Sequence, residues 1–120
     1  MKAKSIRAFL GAKNYDISRA FYREMGFEEV ILDNQMSYFK VNENLGFYLQ
    51  NAYVKDWVDN SMIFLEVEDL EGFQATLLQQ QLNRKYQNVR ISEIVTEDWG
   101  KEFFMHDPSG VLWHFGKFNG

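Results

Sequence analysis

Hydrophobic and polar positions alternate along this chain with two different periods, which predict helices and strands in a repeated order. Ile17, Phe21 and Met25 are spaced by four residues, which predicts the buried stripe of a helix. Asn14 is suited to cap the start of that helix, and Gly26 is suited to end it. Alternation with a period of two predicts strands at residues 5–12, 27–32, 36–41 and 45–50. The first part of the chain therefore reads β-α-β-β-β.

The second half of the chain repeats this order. A strand at residues 61–67 leads to Asp69, a good helix cap, and then to the apolar stripe of a helix that reaches about residue 81. Residues 79–86 fit either an extension of that helix or a loop. Residues 89–95 predict the next strand, and Phe9 aligns with Phe64 at an offset of 55 residues, which indicates an internal repeat.

The repeat defines the expected domain organisation. One domain should span residues 1–120, because this length can bury a core without metal or disulfide support. Within it we expect a first module at residues 1–51, a polar linker at residues 52–60 and a second module at residues 61–120.

The last two strands are apolar on both faces. Asp107 can accept backbone hydrogen bonds, Pro108 fits the second position of a turn and Gly110 fits its exit. The turn would join a strand at residues 103–106 to a strand at residues 111–115. Such a hairpin should have core on one side and a second apolar face on the other.

An α+β fold follows, in which two βαβββ modules form a curved mixed sheet around a cleft. Trp113 is expected in the core, on the helix side of its strand. The residues predicted to point away from the helices, into the cleft, are Arg7, Phe9, Met36, Tyr38, Tyr48, Gln50, Met62, Phe64, Glu66, Phe103, Met105, Leu112 and His114. This set is mostly apolar and aromatic, unlike a face exposed to water alone.

Composition narrows the class of protein. The chain has 17% aromatic residues, no cysteine and a formal charge of −4. We expect a cytoplasmic protein, since no leader or apolar run of membrane-spanning length is evident. Without a cluster of basic residues, neither nucleic acid nor a membrane is an expected partner. The acidic balance could favour a cationic ligand or serve only solubility.

Catalytic signals are few. His106 and His114 are the only histidines, and the predicted alternation puts them on opposite faces, so no metal site and no cofactor is expected. No cysteine or serine motif suggests a nucleophile. Glu66 could act as a base or be a charge at the rim. His114 could contact a ligand or be structural.

Several short motifs, taken in order, resemble the vicinal-oxygen-chelate superfamily, which includes glyoxalase I, extradiol dioxygenases, and fosfomycin- and bleomycin-resistance proteins. Residues 12–22 followed by Met25-Gly26-Phe27 are similar to its first helix signature. The pattern Trp99-Gly100-x-Glu102-Phe103, Asp107-Pro108-x-Gly110 and His114-Phe115 most resembles the bleomycin-resistance branch.

This resemblance implies where a site would lie. The metal-ligand positions of the superfamily would fall on Arg7, Tyr48, Met62 and His114, of which only His114 is a usual metal ligand. Metal-free bleomycin-resistance proteins are dimers that sequester a bulky cationic, aromatic antibiotic in clefts at the subunit interface. The resemblance thus implies stacking of a ligand on Trp99 and Phe64, with Met36 and Tyr38 on the facing wall.

We therefore predict a metal-free homodimer that sequesters an antibiotic-like small molecule of aromatic and cationic character, with strand exchange between subunits left open. The predicted ligand-binding residues are Met36, Tyr38, Tyr48, Phe64, Glu66, Trp99, Phe103 and His114. The alternative is a glyoxalase-superfamily enzyme, a lyase or isomerase, with Glu66 or His114 as acid or base in the same cleft. A third reading is that the aromatic face only buries a dimer interface.

Overall fold

The structure is a computed structural model that describes residues 1–120. It contains nine strands and four helices, and it confirms the predicted α+β class. The elements in chain order are β1 (Phe9–Gly11), α1 (Tyr15–Glu24), β2 (Glu28–Ile31), β3 (Met36–Lys40), β4 (Gly46–Gln50), α2 (Lys55–Asp59), β5 (Met62–Glu66), α3 (Leu70–Gln79), α4 (Leu82–Lys85), β6 (Arg90–Ile91), β7 (Val95–Thr96), β8 (Gly100–His106) and β9 (Leu112–Phe118). None of the helices combines the length and the apolar character that a membrane crossing requires.

Two mixed sheets share one topology. The strand order is β1-β4-β3-β2 in the first sheet and β5-β9-β8-β6 in the second, with β7 also paired to β8. In each sheet the first strand of the unit runs parallel to the last. Phe9 pairs with Tyr48, and Phe64 pairs with His114, so the predicted alignment of Phe9 with Phe64 is visible in the strand register.

The predicted helix caps are confirmed. Asn14 Oδ1 accepts a hydrogen bond from the backbone N–H of Ile17 at 3.2 Å, and Asp69 Oδ1 accepts one from Gly72 at 3.1 Å. Gly26 follows the end of α1 with φ +101°. Glycine adopts this conformation more readily than residues that have a Cβ atom.

The buried stripe of α1 is rotated relative to the prediction. Phe21 and Met25 are buried as expected, but Ile17 is 45% exposed. Tyr15 at the start of the helix is also buried, and the other buried positions are taken by Ser18 and Tyr22. Their hydroxyl groups are satisfied by hydrogen bonds to the β8–β9 hairpin, which is why polar side chains can lie beneath this helix.

The predicted irregular linker contains a short helix. Val58 of α2 is fully buried, and the ring of Trp57 packs so closely on Gly11 that a Cβ there would lie 2.6 Å from it. Farther on, Gln81 takes a left-handed conformation with φ 57° and starts α4. The predicted strand at 89–95 is interrupted between β6 and β7.

One hydrophobic core joins the two units. Tyr22 lies at its centre and donates its hydroxyl hydrogen to Asp107 Oδ2 at 2.6 Å. Trp113 Nε1 donates to the same Tyr22 oxygen at 3.0 Å, and Trp113 is buried as predicted. Asp107 Oδ1 accepts three backbone N–H groups of the turn, each at 2.9 Å. Hydrogen bonds to Asp107 therefore stabilise the turn internally and also connect it to α1.

The turn contains five residues rather than the four expected, and this corrects the orientation of β8. His106 pairs with Leu112, so residues 107–111 form the loop, and Phe103 pairs with Phe115. Because neighbouring residues of a strand point to opposite faces, one extra loop residue reverses every assignment on β8. The predicted orientation of Phe103 and Met105 toward the cleft is wrong, since both are fully buried in the core.

The same reversal changes the placement of the two histidines. His106 and His114 were expected on opposite faces. The register places Phe104 opposite His114 and His106 opposite Leu112, so both histidines lie on the face away from α3.

Candidate functional site

The two sheet faces directed away from the helices are the candidate site. The first face comprises Arg7, Phe9, Met36, Tyr38, Tyr48 and Gln50. The second face comprises Met62, Phe64, Glu66, Trp99, Glu102, Phe104, His106, Leu112, His114 and Phe118. On both faces, exposed or half-buried side chains alternate along β3, β4, β8 and β9 with buried core side chains.

Aromatic rings and one guanidinium group form the surface of the first face. The rings of Phe9 and Tyr48 stack with their centroids 4.7 Å apart, and Tyr38 is 5.4 Å from Tyr48. The Tyr38 hydroxyl packs against Gly46, and a Cβ atom at this position would collide with the hydroxyl. The guanidinium of Arg7 lies 4.2 Å from the centre of the Tyr38 ring.

Three rings meet on the second face. Trp99 lies 5.8 Å from Phe64 and 5.2 Å from Phe118, while Phe64 and Phe118 are 5.5 Å apart. The ring of Phe64 rests on Gly116, where a Cβ would lie 2.6 Å from it. The backbone N–H of Phe118 donates to Glu66 Oε2 at 3.3 Å, which places a carboxylate beside this aromatic cluster.

A carboxylate and an imidazole are paired next to this cluster. Glu102 Oε1 lies 3.1 Å from His114 Nδ1, and the ring of Phe104 packs edge-on against His114 with centroids 4.9 Å apart. The side chain of His114 is 24% exposed. A carboxylate at Nδ1 holds the imidazole in one orientation, so Nε2 is left for a ligand.

The structure brings together seven of the eight predicted binding residues in two groups. Met36, Tyr38 and Tyr48 share the first face, whereas Phe64, Glu66, Trp99 and His114 share the second. Their contact with a ligand stays a prediction. Phe103 lies beneath the second sheet, against Phe73 and Phe115 of the core, and we remove it from the set.

Sequence reasoning missed four residues of the second face. Glu102, Phe104 and His106 were missed because the loop length reversed β8. Phe118 was missed because the predicted last strand stops at residue 115, whereas β9 continues to Phe118. Continued period-2 alternation from His114 would have identified Phe118.

The faces are open rather than enclosed within one chain. No ring-to-ring contact joins the first face to the second, because every aromatic pair on the faces lies within one of them. Between the sheets lies an apolar groove of about 200 Å³ that includes Ile6, Leu45, Phe47 and Phe64. A ligand on either face would therefore contact one wall from this chain.

The residues at the superfamily's metal-ligand positions do not fit a metal ion. Arg7 is a cation and uses Nη1 to donate to Tyr48 Oη at 2.9 Å. Met62 is 62% exposed and offers only a thioether, a poor ligand for hard divalent ions. No group of three or more His, Asp or Glu side chains is placed to hold a metal ion.

Comparison with known proteins defines the class by its fold. No family model matches the sequence, and no curated protein matches it either. Solved structures do match over nearly the whole chain, and they show that it has the fold of glyoxalase/bleomycin resistance proteins.

Among these structural neighbours are bleomycin-binding and resistance proteins. The bleomycin-binding protein of Streptomyces verticillus, solved with copper(II)-bleomycin, has a TM-score of 0.79 and 17% identity, with 99% of each chain covered. The bleomycin resistance determinant of transposon Tn5 has a TM-score of 0.74 and 20% identity, over 98% of this chain and all of that one. The fosfomycin resistance protein FosX of Listeria monocytogenes, solved with Mn(II) and sulfate, has a TM-score of 0.72 and 12% identity, over 99% of this chain and 93% of that one.

Proposed function

We propose that this protein binds a flat, aromatic, antibiotic-like small molecule and sequesters it without changing it. The observation that carries the proposal is the cluster of Phe64, Trp99 and Phe118 on an open sheet face. Phe64 is 44% and Phe118 50% exposed, and exposed aromatic clusters are commonly binding surfaces. The bleomycin-binding proteins among the neighbours support this choice of ligand class.

The proposed site is completed by a second copy of the chain. Each face offers one wall, and a planar ligand needs two walls to lose most of its contact with water. A homodimer in which a first face opposes a second face would supply both walls. By symmetry it would contain two equivalent clefts.

Substitution of Trp99 tests the site directly. Trp99→Ala removes one ring of the cluster from a half-buried position outside the common core. We expect affinity for a flat aromatic ligand found in a fluorescence screen to fall about tenfold. The thermal midpoint should hardly change.

Trp57→Ala is the matched control. The Trp57 ring packs against the core and Gly11 rather than on either face, so its removal should lower the thermal midpoint and leave affinity unchanged. If Trp99→Ala destabilises the fold strongly while ligand affinity is retained, Trp99 is a structural residue and the proposed site is misplaced.

Catalysis in the same place is the second candidate, favoured by the pairing of Glu102 with His114. An imidazole oriented by a carboxylate can transfer a proton at Nε2. Incubation of the bound compound followed by mass spectrometry separates the two functions. An unchanged compound supports sequestration, whereas a product that disappears with His114→Ala or Glu66→Gln supports an enzyme.

A further inference from the structure

The first face carries a cation in a position where it would meet any ligand. Arg7 lies over two tyrosine rings, with its guanidinium carbon 4.2 Å from the centre of Tyr38 and 5.7 Å from that of Tyr48. Its Nη1 donates to Tyr48 Oη. These contacts hold the guanidinium against the face, so binding a ligand there costs little further loss of side-chain freedom.

No carboxylate neutralises this cation. The arginines of α1 are both paired with Glu29, whereas none of the ion pairs of the chain includes Arg7. Only one hydrogen bond from its side chain is formed, and a guanidinium has five N–H donors at its edge. The remaining donors are available to an acceptor that approaches along the face.

The tyrosine hydroxyl groups extend the same donor surface. Tyr48 Oη accepts from Arg7, so its own hydrogen points elsewhere and can be donated. Tyr38 Oη makes no hydrogen bond within 3.5 Å. Arg7, Tyr38 and Tyr48 therefore all offer hydrogen-bond donors on one aromatic face, which suits a carboxylate, sulfonate or phosphate.

A cationic ligand meets the opposite situation. Cations are attracted to the faces of electron-rich rings, but Arg7 already lies over Tyr38 and Tyr48. A second cation on this face would be repelled rather than attracted. The negative charge of the whole chain does not decide the question, because charge at contact distance outweighs a dispersed net charge in salt.

We infer that the ligand of this protein is an aromatic compound with an anionic group, and that Arg7 receives the anionic group. The inference rests on the proposed function and specifies its ligand class. It differs from the cationic ligand that net charge and resemblance favoured. Arg7 then acts as a specificity residue, separate from the rings that hold the aromatic body.

Three probes that share one ring system test the inference. They are 9-anthracenecarboxylate, 9-anthracenemethanol and 9-(aminomethyl)anthracene, which carry negative, zero and positive charge. Fluorescence titration of the wild-type protein should give the tightest binding for the carboxylate and the weakest for the amine. Added salt should weaken the carboxylate only, since ionic contacts at an exposed face are screened.

Arg7→Gln removes the charge and keeps a polar side chain. It should weaken binding of the carboxylate about tenfold and change binding of the alcohol little. Arg84→Gln makes the same change in net charge on α4, which belongs to neither face, and should leave both affinities unchanged. Thermal midpoints of the two variants show whether either has lost its fold.

The possible failures are distinct. If none of the three probes binds to the wild-type protein, the proposed function fails and the inference falls with it. If the three probes bind equally well, or if Arg7→Gln weakens all three to the same extent, ring binding stands and the inference about Arg7 is overturned.

Discussion

At the scale of single residues, the hydroxyl of Tyr22 joins the two units of the chain. It donates to Asp107 and accepts from Trp113, and all three side chains are buried. Burial raises the pKa of Tyr22 well above its ordinary value of 10.0, so the hydroxyl keeps its proton at neutral pH. The carboxylate of Asp107 and the indole of Trp113 are therefore both hydrogen-bonded to the Tyr22 hydroxyl of α1.

Tyr22→Phe should lower the free energy of unfolding by about 1–3 kcal/mol, because it leaves the indole N–H without an acceptor and one Asp107 oxygen without its donor. Chemical denaturation measures this difference. Tyr53→Phe is the control, since Tyr53 is 38% exposed and should change stability by much less. Equal stability of Tyr22→Phe and the wild type would contradict a structural role for this hydroxyl.

Glu29 is the residue whose charge stabilises the contact between α1 and the first sheet. Partial burial raises its pKa, but hydrogen bonds from Arg19, Ser37 and Arg23 outweigh that effect and lower the pKa to about 2. The shortest contacts are 2.6 Å, from Arg19 Nε and from Ser37 Oγ. The folded state therefore prefers the ionised form.

This preference sets the sign of a pH dependence. A carboxyl whose pKa is lowered by folding stabilises the protein above its ordinary pKa of 4.5, and the contribution is lost as pH falls toward about 2. Glu29→Gln should cost about 1–3 kcal/mol at pH 7, and the difference from wild type should shrink between pH 5 and about 2. Urea denaturation at several pH values measures it.

Asp16→Asn provides the comparison for Glu29. Asp16 also contacts Arg19, at 3.0 Å, but its side chain is 85% exposed, and exposed ion pairs contribute little. We expect almost no change in stability from this substitution at any pH. A constant difference between Glu29→Gln and wild type from pH 7 to pH 3 would mean that the charge of Glu29 is not what stabilises the contact.

At the scale of elements, the sequence predicts which side chains of a strand face the core where one large residue marks the buried face. Trp113 places β9 correctly, because a large indole beside Val111 and Phe115 is far more stable inside than outside. The strand β8 offers no such marker, since Phe103, Phe104 and Met105 are all apolar. Its orientation depends on the length of the turn instead.

That turn length could not be deduced from residue preferences. Asp107, Pro108 and Gly110 are compatible with a four-residue turn. In the structure Asp107 Oδ1 also accepts the N–H of Val111, and this adds a fifth residue to the loop. The tertiary contact with Tyr22 favours this form by holding the other carboxylate oxygen. Long-range contacts thus decide which side chains of β8 reach the candidate site.

Helix boundaries were more predictable than helix faces. Asn14, Asp69 and Gly26 act through contacts with nearby backbone, so their positions in the sequence were sufficient to predict these helix ends. The stripe of α1 depends instead on hydroxyl groups that find partners far along the chain, as Ser18 does with Ser109. Apolar spacing alone selected Ile17 and left Ser18 out.

At the scale of the whole molecule, two apolar faces remain uncovered, and we predict that a second copy of the chain covers them. Phe9 on the first face is 49% exposed and Met62 on the second is 62% exposed. Sedimentation of the purified protein should show a dimer. Its thermal midpoint should rise with protein concentration, as expected when folding and association are coupled.

Phe9→Glu places a charge in the middle of the first face and should shift the dimer toward monomer, because an unpaired buried charge is strongly unfavourable. Ligand affinity should fall in parallel, since each cleft needs walls from two subunits. Ile17→Glu is the matched control: Ile17 is 45% exposed but lies on α1, on the opposite side of the sheet. A dimer that survives Phe9→Glu would place the interface elsewhere. If Phe9→Glu dissociates the dimer but the wild-type dimer binds no aromatic ligand, the faces serve association alone.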